Sequence, residues 1–308
     1  MSAGPAAAGA EPAPGLEVVE YTDPLCPWAW GSEPVFRRLR AALGERVRWR
    51  RVFSILFDVG DDPAPDPAAE TAWYAGHLAE ISGHTHAPRP YRLDRVAAQS
   101  WSASLVAAAA ELQGAPVAEG VLRRLREGVF VRGVPADTPA LALAAARGVP
   151  GLDAARLAAD AASAAVRERV RADHAEARRP VPEVLSVPGG SPHPGAAKET
   201  PDGELRYALP TLLFRAPDGR HRAVPGRRPY GAYADAAERL APGLLREPAP
   251  LSPAAALARH RTLTDPERAV LTEGPWPPPG AVRVDTAGGP LWLHPAEAAV
   301  HPATAPLP

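Results

Sequence analysis

Cys26 is the only cysteine in the 308-residue chain, and the residues around it suit it to chemistry. It follows a short apolar stretch, Leu16 to Tyr21, and stands directly before Pro27 and a run of helical apolar spacing. Proline is well tolerated at the first helical position, where the N–H it lacks would have no partner. Cys26 is thereby placed at the N-cap, with the N–H groups of Trp28 and Ala29 as orphan donors aimed back at its sulfur. The helix dipole supplies only about 0.3–1 kcal/mol, up to about 2 when partly buried, which is about one pKa unit. Direct N–H···S⁻ bonds must add the rest to bring a thiol from about 8.5 to below about 7, the value expected here. The alternative, a structural cysteine acting as a small buried hydrophobe, fits poorly between Leu25 and Pro27 at a helix start.

Three stretches in order carry a family resemblance. Tyr21-Thr22-Asp23-Pro24-Leu25-Cys26-Pro27-Trp28-Ala29-Trp30 resembles the active-site turn of the DsbA-type thioredoxin-fold family, particularly its cytosolic Cys-Pro-Trp-Cys branch. Ala208-Leu209-Pro210-Thr211-Leu212-Leu213-Phe214 is similar to the strand that carries the family's cis-proline opposite the thiol. Val224-Pro225-Gly226-Arg227-Arg228-Pro229-Tyr230 resembles the strand-turn-helix that closes the same fold. The resemblance implies an α/β, thioredoxin-like fold with a large helical insertion and a small C-terminal appendage. It implies a catalytic Cys26 and a substrate-binding surface of Pro27, Trp28, Ala29, Leu209, Pro210 and Thr211. It further implies a cis Leu209–Pro210 bond whose backbone faces the sulfur.

Position 29 departs from the family, which usually has a second cysteine there. Two-cysteine sites resolve a mixed disulfide internally; Ala29 removes that step, so the product must be released by an external thiol. The expectation is monothiol chemistry on a disulfide-containing protein or small-thiol substrate, with no bound cofactor and with glutathione or mycothiol as co-substrate. Two other readings stay open: a thiol transferase or isomerase like the kappa-class relatives of this fold, and a non-catalytic binding protein that kept the fold. His77, His84 and His86 read as surface histidines rather than metal ligands, since His84 and His86 lack an obvious third partner. Asp23 reads as a turn cap that could also tune the thiol; Trp28 and Trp30 flank it, one as a cover and one as packing beneath the helix.

The elements that must position these residues follow from the pattern. Residues 1–15 read as a disordered leader. Residues 16–66 and 204–248 form the thioredoxin-like domain, with Pro34 expected to kink its first helix and a strand running from Val47 toward Phe57. Residues 67–180 are helical; Thr138-Pro139 and Asp153 mark helix starts. Residues 181–203, rich in Pro, Gly and Ser, read as a flexible loop. Residues 249–308 form a separate extension in which Thr264-Asp265-Pro266-Glu267 is a capping box. Its helices and hairpin invite a winged-helix reading, but the second helix offers only Arg268 as a base-reading cation, too few for phosphate contacts.

Composition narrows the function classes. A formal net charge of −1 and a pI near 6.8 provide no field for nucleic acid or anionic lipid. One cysteine allows no intramolecular disulfide. The first fifteen residues lack a signal-peptide pattern, and no apolar run is long enough to span a membrane. The expected location is cytoplasmic.

Overall fold

The structure, a computed structural model, describes residues 15–58, 64–186 and 192–304; the leader expected over residues 1–15 falls outside these except for its last residue. β1 (Leu16–Thr22) leads into α1 (Pro27–Leu43) and β2 (Val47–Phe53). The helical insertion follows as α2 (Pro67–Thr85), α3 (Trp101–Glu111), α4 (Ala115–Phe130), α5 (Pro139–Ala145), α6 (Ala154–Ala161) and α7 (Ala164–Ala177). A short ladder, β3 (Lys198–Glu199) with β4 (Leu205–Arg206), precedes the hairpin β5 (Thr211–Arg215) and β6 (His221–Pro225), then α8 (Tyr230–Leu240). The remaining elements are α9 (Pro253–His260), β7 (Thr262–Thr264), α10 (Asp265–Leu271), β8 (Val282–Val284), β9 (Leu291–Leu293) and α11 (Pro295–Ala298).

The main sheet has the order β2-β1-β5-β6, with β1 parallel to β2 and antiparallel to β5. β1 is covered on both faces, so apolar side chains point both ways from it. Leu16 and Val18 pack with Phe36, Leu39, Phe214 and Tyr233, under α1 and α8. Val19 and Tyr21 face the other way, toward Val52, Ala177, Tyr207 and Leu213. The sheet with helices on both sides is an α/β thioredoxin-like fold, and the helical insertion lies between β2 and β5 in sequence.

Two expectations change at this level. α1 runs without interruption through Pro34 and stops at Gly44, which takes a left-handed φ of 60°. The region 181–203 is not a uniform loose loop: it holds a 3₁₀ turn at Pro182–Val184, the strand β3, and a buried His193.

The C-terminal extension does not stand apart either. β7, β9 and β8 form a three-stranded sheet, and Leu291 and Leu293 enter the same core as Trp30, Leu125 and Phe130. Charged groups fasten this docking. Arg123 on α4 grips Glu267 on α10 through both guanidinium nitrogens at 2.8 and 2.9 Å, and Arg37 on α1 reaches the same carboxylate at 3.2 Å. Arg124 pairs with Glu297 at 2.6 Å, and His301 bonds Glu127 at 2.9 Å. Glu267 also completes the capping box with Thr264, so one fully buried carboxylate both starts a helix and ties the extension down.

Candidate functional site

The β1–α1 junction builds the site. Asp23, fully buried, accepts from the Leu25 N–H at 2.7 Å through one oxygen and from the Leu56 N–H at 2.8 Å through the other. It therefore caps the turn and ties it to the chain leaving β2. Burial raises its carboxyl to about 6 against the pull of those two donors. The turn delivers Cys26 to the N-cap of α1 with extended backbone, φ −84° and ψ 117°, and Pro27 at the first helical position.

Cys26 is only 3% exposed. Its thiol points at the Leu209 carbonyl, 3.8 Å away, and the Leu209–Pro210 peptide bond is cis. The N–H groups of Ala29 and Trp28 both act to lower the thiol pKa, without closing to a capping hydrogen bond. Burial outweighs them and pushes the Cys26 thiol up to about 11. The expectation of a value below about 7 is corrected here: helix-start donors act on the thiolate, but the thiol is closed off from water, and desolvation disfavours the charged form.

The structure places the first turn of α1 and the Leu209–Thr211 segment on either side of Cys26, while Trp30 and His77 lie elsewhere. Pro27 and Ala29 are buried on the first turn of α1, and Trp28 is half-buried at the mouth. Leu209 and Pro210 lie opposite, and Thr211 opens β5, where its hydroxyl donates to the Ala208 carbonyl at 2.6 Å. Trp30 points away, with its indole N–H bonded to the Pro88 carbonyl at 2.9 Å and its ring between Phe130 and the Arg123 guanidinium. His84 is exposed and stacks on Trp28 at 6.4 Å; His77 stacks instead on Trp73.

Two participants carried no signal in the sequence. His193 is buried, bonds the Leu209 carbonyl at 2.9 Å, and meets Trp28 edge-on at 5.0 Å. Arg206, at the end of β4, is close enough to lower the pKa of both Cys26 and Asp23. Among the described residues no group of carboxylates, histidines or cysteines could hold a metal ion.

A cysteine at the helix start that follows the central strand, beside a cis-proline, defines a thioredoxin-type site. A family model described as thioredoxin matches residues 20–179, more than half of the chain, and the chain belongs to that family. It is similar to the ClpXP adapter protein SpxH of Shouchella clausii (strain KSM-K16), 30% identical over 119 residues that make up 38% of each protein. SpxH of Bacillus subtilis (strain 168) is 29% identical over 117 residues, again 38% of each; the chain thus spans well under half the length of the curated relatives it matches. Among solved structures, a candidate protein disulfide isomerase from Nitrosomonas europaea shares the fold, with a TM-score of 0.54 at 15% identity, over 73% of this chain and 95% of that one. Pro210, directly before β5, lies beyond the family match.

Proposed function

We propose that this protein is a monothiol disulfide oxidoreductase acting through Cys26. The observation that supports this most is the sulfur at the α1 N-cap beside Leu209 and Pro210, with alanine at position 29. In the first step the Cys26 thiolate attacks one sulfur of a substrate disulfide, forming a mixed disulfide and releasing the other half as a thiolate. No second cysteine can resolve that bond, so a small external thiol attacks it, regenerating Cys26 and leaving with the substrate half as a new disulfide. Glutathione or mycothiol fits this role. The substrate is a disulfide-bearing protein or a protein carrying a small thiol, bound along Trp28 and the Leu209–Thr211 backbone. Such a cycle suits the cytoplasm, where reduced small thiols are abundant. Among the described residues no helix is long and apolar enough to cross a membrane.

The test is turnover of a glutathionylated or mycothiolated protein by the matching small thiol. The proposal expects saturable, double-displacement kinetics abolished by Cys26→Ser. Absence of turnover with both thiols would refute it.

One observation favours a second reading, a non-catalytic binding protein: the thiol is closed and its pKa is raised rather than lowered. The curated relatives named as adapters accord with it. Under that reading Cys26→Ser would leave partner binding unchanged.

A further inference from the structure

Residues 192–197 form a strap beside the site, where His193 meets the Leu209 carbonyl and the Trp28 ring, and the strap has its own fastenings. His193 and Gly195 are buried, and Pro192 and Pro194 are exposed. The His193 Nδ1 accepts the Gly195 N–H at 3.0 Å, which leaves the ring hydrogen on Nε2. That Nε2–H donates to the Leu209 carbonyl at 2.9 Å, the same oxygen to which the Cys26 thiol points. On its other side Arg228 donates to the His193 carbonyl at 3.0 Å, and the Ala197 N–H bonds the Val184 carbonyl at 2.8 Å. The seat is shaped for this ring: a Cβ on Gly226, whose φ is 73°, would come within 2.4 Å of the His193 Nδ1.

We propose that this strap is an autoinhibitory cover, in which His193 occupies the Leu209 acceptor that a docking substrate backbone would use and keeps Cys26 shut until a substrate displaces it. The proposal rests on the reading of Cys26 as a nucleophile for docked disulfides. It explains why the sulfur is buried although its helix start is arranged to favour a thiolate. Burial is the largest cause raising the thiol, and the Ala29 and Trp28 N–H groups are the first and second causes lowering it. Lifting the strap admits water and removes the dominant opposing cause while leaving both donors in place. The same displacement frees the Leu209 carbonyl for an incoming N–H. Docking and activation thereby become one event, and oxidants that cannot displace His193 find a closed thiol. The imidazole suits a cover because burial holds it down to about 4, so it stays neutral and keeps both of its hydrogen bonds at neutral pH.

The experiment is the rate of Cys26 alkylation by iodoacetamide under native conditions, set against the same chain unfolded in urea. The unmutated chain should react at least about a hundredfold more slowly than the unfolded one, as expected for a thiol reached only through local opening. His193→Ala should then react at least about tenfold faster than the unmutated chain with its cooperative melting retained, because it removes a local fastening. Arg228→Ala releases the strap from its other face and should act in the same direction, which keeps the question answerable if His193→Ala does not fold. A native rate close to that in urea, or folded variants that react at the unmutated rate, would overturn the proposal. Alkylation is read without any disulfide turnover. Failure of the strap is therefore distinct from failure of the redox cycle: variants that open but do not turn over would leave the cover standing and sink the oxidoreductase.

Discussion

Cys26 is a thiol under two opposed influences, and the pH dependence of stability reports which one wins. An unburied thiol titrates at about 8.5–9, and burial in the folded chain raises this one to about 11. A raised acid binds its proton more tightly when folded, so folding is favoured below the unfolded value and loses this contribution as pH rises from about 9 toward about 11. Alkaline denaturation monitored by circular dichroism should show this loss, and Cys26→Ser should remove it; identical curves would mean that the sulfur is not buried in solution. A second prediction concerns Ala29, which is fully buried at the third helical position, three residues after Cys26. A cysteine there lies on the same face as Cys26, within reach of the roughly 3.5–4.5 Å between Cβ atoms that a disulfide needs. Ala29→Cys should oxidise to an internal disulfide and gain dithiol reductase activity with an external reductant. Two free thiols after mild oxidation would contradict the placement of Cys26 at the helix start.

At the scale of elements, the approach of α1 to α2 holds the site helix in place. Gly31 makes this contact possible, since a Cβ there would lie 2.5 Å from the Thr85 side chain. Gly31→Ala should cost about 1–3 kcal/mol through overpacking, visible as a lower urea midpoint; an unchanged midpoint would show that the two helices yield without cost. Much of this layer is legible in the sequence because its signals are local. Pro27 after Cys26 marks the start of α1, Thr138 and Asp153 cap α5 and α6, and Thr264 with Glu267 forms the box that starts α10. The thioredoxin-like fold is legible for a different reason, the order of three motifs along the chain. His193 is not legible: its role depends on a carbonyl sixteen residues away and on a seat at Gly226, and a histidine between two prolines reads as loop. The raised thiol pKa escapes the sequence on the same ground. Helix-start donors are visible in a few adjacent residues, whereas burial is set by groups such as Leu209 and Trp28, distant in sequence or orientation, which only the fold assembles. Pro34 reads as a bend in α1, but packing of Phe36, Leu39 and Leu43 against the sheet holds the helix through it.

For the whole molecule, buried charge joins three parts that the sequence separates. Glu33 on α1 is paired with Arg126 and lies 3.1 Å from Arg40, and its carboxyl is held well below the usual range by the neighbouring guanidinium groups despite its burial. Removing one partner of such a pair strands the other, so Glu33→Gln should lose about 3–5 kcal/mol of unfolding free energy. Because the folded carboxyl is depressed, this stabilisation is present above the unfolded carboxylate value of about 4.3 and is lost as pH falls below it. Urea unfolding at neutral and acid pH would check both statements; equal stability of variant and parent at neutral pH would contradict them. Deleting the extension from residue 249 onward would leave Arg37, Arg123 and Arg124 without Glu267 and Glu297, and the remainder is expected to lose cooperative folding rather than survive as an independent domain. In the proposed cycle one sulfur, Cys26, forms a mixed disulfide that the chain cannot resolve alone. Intact mass after incubation with glutathione disulfide and, separately, mycothiol disulfide tests it most directly. The proposed cycle predicts a single small-thiol adduct from at least one of them, formed faster in His193→Ala, stable until external thiol is added and absent in Cys26→Ser; a chain that remains unmodified by both, with His193 present or replaced, would contradict it.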